Sequence, residues 1–207
     1  MARSASSFSR KPPKFKPQPT TLIVCEDKVS GKRYIEDVSR YFRSHTKVEV
    51  VHPDLTHPLG IVEYAISKAS RFSKIYCVID RDSHASFDSA LRLASGNDKI
   101  TVIASYPCFE IWLRAHFGYT RQPYERSGGK SPGENVVRDL KSRPLLADYE
   151  KKSTGVFEAL LGQPFNTARD VSPRMLQDAM VTNAMNPCTE VHLLIDDLED
   201  LGTPQLL

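Results

Sequence analysis

The sequence predicts an α/β fold: a mostly parallel four-stranded sheet flanked by helices, with a helical subdomain after it. Three observations carry the prediction. Between residues 21 and 118, apolar runs of strand length alternate with segments whose apolar residues recur at helical spacing. The runs are continuous rather than alternating, as strands covered on both faces require. Beyond residue 118 only helical patterns remain.

Taken in order, "TLIVCE" (21–26) is the first strand. Tyr34, Ile35, Val38, Tyr41 and Phe42 then recur at helical spacing, and "VEVVHP" (48–53) gives a second strand closed by proline. Ile61, Val62, Ala65, Ile66, Ala69 and Phe72 mark the next helix, followed by the strand "KIYCVI". Phe87, Ala90, Leu91 and Ala94 make a short helix ended by Gly96, before the strand "KITVIAS" (99–105). A fourth helix starts at Pro107, a favoured first-turn residue, runs through "PCFEIWLRAHF" and stops at Gly118. Residues 119–133, rich in proline, glycine and basic residues, show no period and read as a loop. Helical patterns follow at 134–142, about 154–162, 173–185 and in "TEVHLLIDDLEDLG", where Val191, Leu194, Ile195, Leu198 and Leu201 form one stripe. The expected organisation is an arm (1–20), an α/β domain (21–118) and a helical extension packed on it (119–207).

A chain of 207 residues that is 40% hydrophobic can bury one good core and a smaller appendage. No run approaches a membrane span, and the basic N-terminus has no apolar block behind it, so neither a membrane protein nor a signal peptide is expected. A cytoplasmic location is the default. Cys25, Cys77, Cys108 and Cys188 are far apart and form no CxxC pair, which argues against a disulfide framework or a zinc site. The net charge of +3 is uneven: Arg3, Arg10, Lys11, Lys14 and Lys16 fall in the first 21 residues, which contain no acid. Taking those five from the 28 basic residues leaves 23 against 25 acidic ones. The Ser- and Pro-rich arm reads as disordered, either a phosphate-seeking tail or a solubilising leader.

The chemistry is expected beyond the carboxyl ends of the strands, where ligands bind in open parallel sheets. Acids fall there three times. The first strand ends in Glu26 with Asp27, the third runs "KIYCVIDRD" into Asp80 and Asp82, and the turn after the fourth leads to Glu110. Because side chains alternate along a strand, Asp80 and Asp82 project the same way if extension continues. A cluster of oxygen ligands with no His or Cys suits Mg²⁺ or Mn²⁺ rather than Zn²⁺. Such a site points to phosphoryl chemistry, with a metal held by Asp80 and Asp82, and Glu26 either holding a second ion or moving protons. Lys28, Lys32 and Arg33 are candidate phosphate contacts, and Arg81 either joins them or balances its flanking aspartates. A lone DxD is as readily a cap or a solvated loop charge; three strand ends in agreement favour a site.

Other features weigh less. His116 reads as a capping or core histidine, and Trp112 and Phe109 as core. "SGGKSPG" lacks the GxxxxGK[ST] pattern and follows no strand, so it reads as a flexible loop. Asp196, Asp197, Glu199 and Asp200 read as a solvated helix face.

"LIVCE", "CVIDRD", "SYPCFEIWLRAHFG" and "NPCTEVHLLIDDL" resemble, in order, the motifs of the RloB-like family over about residues 20–201. Members of that family resemble Toprim-domain nucleases and are associated with bacterial restriction and abortive-infection loci beside a partner ATPase. The resemblance implies a Toprim/Rossmann-like sheet, metal-binding and catalytic roles for Glu26, Asp80 and Asp82, and an active-site position for Glu110, with Asn186 and Thr189 as further candidates. It also implies a nucleic-acid substrate and an ATPase partner of the RloA type. This chain departs from the family pattern CEGE.TE..YF: the glycine after Glu26 is Asp27, and a later glutamate is replaced by Gly31.

The expected function is therefore metal-dependent hydrolysis of nucleic-acid phosphodiesters in antiviral defence. Its rivals are a catalytically impaired Toprim-like subunit that binds a partner or nucleic acid, and an enzyme acting on small phosphorylated metabolites. Against the latter, no glycine-rich phosphate turn follows the first strand.

Overall fold

The structure, a computed structural model, describes residues 20–44, 48–81 and 84–203. The expected N-terminal arm and Asp82 lie outside the described residues, apart from Thr20. The chain runs β1 (Thr21–Cys25), α1 (Ser30–Tyr41), β2 (Val48–Val51), α2 (Pro58–Lys68), β3 (Lys74–Asp80), α3 (Phe87–Ala94), β4 (Ile100–Tyr106) and α4 (Glu110–Ala115). It continues through α5 (Pro132–Lys141), a 3-10 turn at Pro144–Leu146, α6 (Val156–Leu160), α7 (Gln163–Thr182), β5 (Cys188–Thr189) and α8 (Val191–Gly202). No described helix is long and apolar enough to cross a membrane.

The fold is α/β with a mostly parallel sheet, ordered β2-β1-β3-β4-β5. Among the described residues it has five strands where four were expected. The fifth, Cys188–Thr189, lies in the late "NPCTE" segment and pairs antiparallel with β4, Ser105 opposite Thr189 and Tyr106 opposite Cys188. Two residues carry no periodicity, so nothing local announces this strand. It is held by long-range bonds: Thr189 Oγ1 meets Ser105 Oγ at 2.8 Å, Glu190 N donates to Ala104 O at 2.9 Å, and Glu190 Oε2 accepts from Ala104 N at 2.8 Å.

Alternation along the parallel strands divides the core into two layers. Leu22 and Val24 of β1, with Ile75, Cys77 and Ile79 of β3, pack under α2 and α3. Ile23 and Cys25, with Tyr76 and Val78, face the opposite way, against α1 and the helices that follow β4. Both faces are covered, which explains the unbroken apolar runs. All four cysteines are buried and unpaired.

α4 is buried on every side, with Ile111, Trp112, Leu113 and Ala115 at most 1% exposed. Its four apolar residues cover more than one face and so lie in the core, while the buried Glu110 and Arg114 are held by polar partners. Nearby aromatics interlock with α1 and α7: Tyr34 packs edge-on against Phe109 at 5.8 Å and Trp112 at 6.3 Å, and Trp112 against Phe165 at 6.4 Å. His116 belongs to this cluster. Its Nδ1 donates to Trp112 O at 2.9 Å, which leaves Nε2 to accept from the Tyr34 hydroxyl at 3.0 Å.

Three local expectations change. α4 begins at Glu110 rather than Pro107, with Phe109 at its N-cap. "SGGKSPG" is an ordered turn: Ser127 pairs with Lys130, and Gly128 and Gly129 take φ of 58° and 75°, the left-handed pair that such a turn requires. Ser131 then opens α5 with a capping box, its Oγ accepting from Glu134 N at 3.2 Å while Glu134 Oε2 accepts from Ser131 N at 2.7 Å. The acidic run of α8 is partly engaged as well. Arg169 bridges Asp196 and Glu199 at 2.6 Å each, and Asp197 takes Lys74 at 3.0 Å and the Tyr76 hydroxyl.

Candidate active site

Three segments deliver acids to one edge of the sheet. The β1–β3 pairing extends one residue past β1, with Glu26 N donating to Val78 O at 2.9 Å, so Glu26 emerges where the sheet ends. Its Oε2 accepts the backbone N–H of Asp80 at 3.0 Å. Asp80 closes β3 and by alternation shares a face with Tyr76 and Val78, the face on which α4 begins. There Glu110, wholly buried, points its Oε1 at Ser30 Oγ (3.1 Å), the Tyr149 hydroxyl (3.2 Å) and Lys151 Nζ (3.6 Å). Its Oε2 is buried without a hydrogen-bonding partner.

Asp27, where the family pattern has glycine, serves the start of α1. Its carboxylate accepts from the backbone of Val29 at 2.9 Å, Ser30 at 3.1 Å and Gly31 at 2.9 Å, and from the Ser30 hydroxyl. These N–H groups would otherwise lack partners. Ser30 Oγ stands between Asp27 and Glu110 and has one proton for the two of them. Gly31, the other departure, lies against Phe109, whose ring would stand 3.3 Å from an added Cβ.

Two clefts meet at these acids. One, of about 420 Å³, is lined by Glu26, Lys28, His52, Asp54, Asp80 and His84 among others. The second, of about 460 Å³, runs from Asp80 and Cys108 along α5. Asp80 and Lys151 line both, so they stand at the junction. Within the first cleft His84 Nε2 lies 3.5 Å from Glu26 Oε1, and His52 Nδ1 donates to Cys25 O at 3.0 Å.

The electrostatics follow from crowding acids at a half-closed edge. Burial, then the charges of Glu110, Glu26 and Asp27, pushes the Asp80 carboxyl well above its ordinary range, against Lys151. Burial would raise Asp27 too, but its bonds from Ser30, Val29 and Gly31 prevail and hold it low. Burial opposes the Lys151 ammonium, yet Glu110, Cys108, Asp27 and Asp80 keep its proton firmly on. The Cys108 thiol is pushed up by burial and by Glu110, which favours the neutral thiol over the thiolate.

Among the described residues no group of three or more His, Cys, Asp or Glu is arranged to hold a metal ion. The donor chemistry nevertheless suits a hard divalent cation: Glu26, Asp80 and Glu110 offer only oxygen, Glu110 Oε2 is unpartnered, and Asp80 is short of positive charge. Glu26 and Asp80 are the residues that would hold it.

The expected site residues thus divide. Glu26, Asp80 and Glu110 come together, and Asp82 lies outside the described residues. Lys28 stands at the rim of the first cleft, paired with Asp54 at 2.8 Å. Lys32 pairs along its helix with Glu36 at 2.5 Å, and Arg33 donates to Lys152 O at 2.5 Å, so neither lines the two clefts. Arg81 turns toward α3, its guanidinium 5.0 Å from the Phe87 ring centroid. Asn186 and Thr189 do not line the clefts. Asn186 exchanges two bonds with the Tyr124 backbone, and Thr189 anchors β5. Sequence reasoning missed Lys151, Tyr149 and Ser30, which surround Glu110. A hydroxyl or lysine in a loop carries no signature, and only the family pattern, with a hydroxyl residue at position 30, gave a hint.

Neither a curated protein nor a solved structure matches the chain. A family model described as RloB-like protein matches residues 21–198, which takes in both clefts and the whole sheet. The chain belongs to the RloB-like family.

Proposed function

We propose that this chain is a Toprim-like, metal-dependent nuclease that hydrolyses nucleic-acid phosphodiesters in bacterial antiviral defence, working with a partner ATPase. The observation that carries the reading is the convergence of Glu26, Asp80 and Glu110 at the carboxyl edge of a parallel sheet, where two clefts meet. A bound Mg²⁺ or Mn²⁺ would neutralise the scissile phosphate and make a bound water acidic. The chain's own residues do the rest. Glu26 fixes the end of β3 through the Asp80 N–H, Asp80 faces both clefts, and Glu110 with Tyr149 orients the Lys151 ammonium toward a phosphate oxygen. The defence role and the ATPase rest on family membership.

A second reading has an observation of its own. Lys151 already places a cation among the acids, and no three-residue metal group is arranged among the described residues. That arrangement also suits a nucleic-acid-binding subunit without turnover. Incubation with plasmid DNA, single-stranded DNA and total tRNA, in Mg²⁺, Mn²⁺ or chelator, separates the two. Metal-dependent cleavage supports the nuclease; binding and metal-induced thermal stabilisation without cleavage support the subunit.

A further inference from the structure

We infer that the cleft of about 460 Å³ beside α5 is the track of a single nucleic-acid strand, gripped through its phosphates by Lys130, Arg138 and Lys141, with Asp80 at its inner end. The inference rests on the nucleic-acid reading above and assigns the strand's path, which neither the family match nor the acid cluster provides.

These three cations stand outside the ion pairs of the fold. Most cations of the fold have a partner: Arg143 and Arg114 hold Asp139 at 2.6 and 2.7 Å, Lys74 holds Asp197 at 3.0 Å and Lys28 holds Asp54 at 2.8 Å. Among the described residues, the side chains of Lys130, Arg138 and Lys141 have no ion-pair or hydrogen-bonding partner, and all three are exposed along one wall of one cleft. Glu134 and Glu150 offset Lys130 and Lys141 only at a distance, without an ion pair, and with Lys151 the cleft carries more cations than acids, a surplus that a polyanion would neutralise.

Gly133, at the start of α5, sits against the turn that leads from β4 to α4, an added Cβ lying 3.6 Å from Cys108 Sγ. That contact sets the basic face of α5 beside Asp80. Arg138 and Lys141 are three residues apart and so lie on one helix face, about 5–6 Å between Cβ atoms, with Lys130 before the first turn. The helix N-terminus is not itself the anion site, because the capping box of Ser131 and Glu134 occupies it. Among the described residues no aromatic side chain lines the cleft, so they offer no stacking platform, and binding there is through the backbone and indifferent to sequence. An acidic protein segment is the alternative occupant, which the experiment below separates from a strand.

The experiment is fluorescence anisotropy of a labelled single-stranded oligonucleotide over a KCl series, in chelator, using the full chain, the triple variant Lys130→Ala/Arg138→Ala/Lys141→Ala and Arg92→Ala on α3. Three lost phosphate contacts at about 0.7 each flatten the slope of log affinity against log salt by about 2 in the triple variant, and Arg92→Ala leaves it unchanged. An unchanged slope in the triple variant, no binding by the full chain, or the same loss toward an oligoglutamate in place of the oligonucleotide would overturn the inference. Because binding is read without turnover, the two proposals fail separately. A chain that binds with this slope and never cleaves sinks only the nuclease reading, while a triple variant that binds and cleaves like the parent sinks only the strand track.

Discussion

Glu26 Oε2 accepts the backbone N–H of Asp80 at 3.0 Å, so the ends of β1 and β3 are joined through the carboxylate of one acid of the candidate site and the backbone of another. The position of Glu26 is thereby set by the sheet and not by the loop after it. Substitution of Asp27 next door alters the start of α1 without releasing that bond.

Asp80 is expected to be a source of instability in the metal-free protein. Its folded carboxyl is raised above the ordinary 3.8, so the fold prefers it protonated; the associated stability is present below about 3.8 and lost as pH rises through the folded value. Asp80→Asn removes the charge and should stabilise the chelated protein at neutral pH by about 1 kcal/mol, or about 2–4 °C in Tm. Thermal melts at neutral and acid pH check this: the gain should disappear in acid, and an equal or lower Tm at neutral pH would refute the crowding argument.

Asp27 has the opposite sign. Its folded carboxyl is depressed below 3.8, so its contribution is present above that value and lost as pH falls through the folded one. Asp27→Ala should cost about 1 kcal/mol, as lost helix caps do, with faster hydrogen exchange at the amides of Ser30 and Gly31. Loss of activity at full stability would instead make Asp27 part of the chemistry.

Lys151 supplies positive charge that a bound divalent cation would also supply. Lys151→Gln is therefore expected to enlarge the Tm increase that Mn²⁺ produces in the native protein while weakening oligonucleotide binding. A Mn²⁺ shift no larger than the parent's would show that the ammonium and the metal do not compete.

His116 ties stability to acid pH through the aromatic core. Burial lowers its pKa to about 4 from 6.5, so the unfolded chain binds the proton first and stability falls as pH drops from about 6.5 to 4. The full loss is roughly 3 kcal/mol. His116→Gln should flatten that part of the curve. Tyr34→Phe, which leaves Nε2 without its donor, should cost about 1–3 kcal/mol and raise the titration midpoint.

The parallel sheet was legible because each strand is buried on both faces, as in "TLIVC" and "KIYCVI", and the helices of the first half because their apolar stripes are regular. β5 was not: two residues at Cys188–Thr189 become a strand only through Ser105 and Ala104, more than 80 residues earlier in the chain. α7 was read short, because Pro164 and Pro173 break the pattern of a helix that in fact runs from Gln163 to Thr182. In the site, Glu26, Asp80 and Glu110 were readable from strand ends and family motifs. The cations were harder. Lys32 and Arg33 follow Glu26 within seven residues but turn to Glu36 and the Lys152 backbone, whereas Lys151 reaches Glu110 from a loop 41 residues away.

The most direct test of the central claim is a single-turnover cleavage measurement, in Mg²⁺ or Mn²⁺, of the native protein, Glu26→Gln, Asp80→Asn and the double variant, on whichever nucleic acid the native protein cuts. The account predicts metal-dependent cleavage that each single substitution lowers by about 10²-fold or more, with the double variant little worse than either, as expected of residues acting as a unit. Cleavage that persists in chelator, or that survives both substitutions in folded protein, would contradict it.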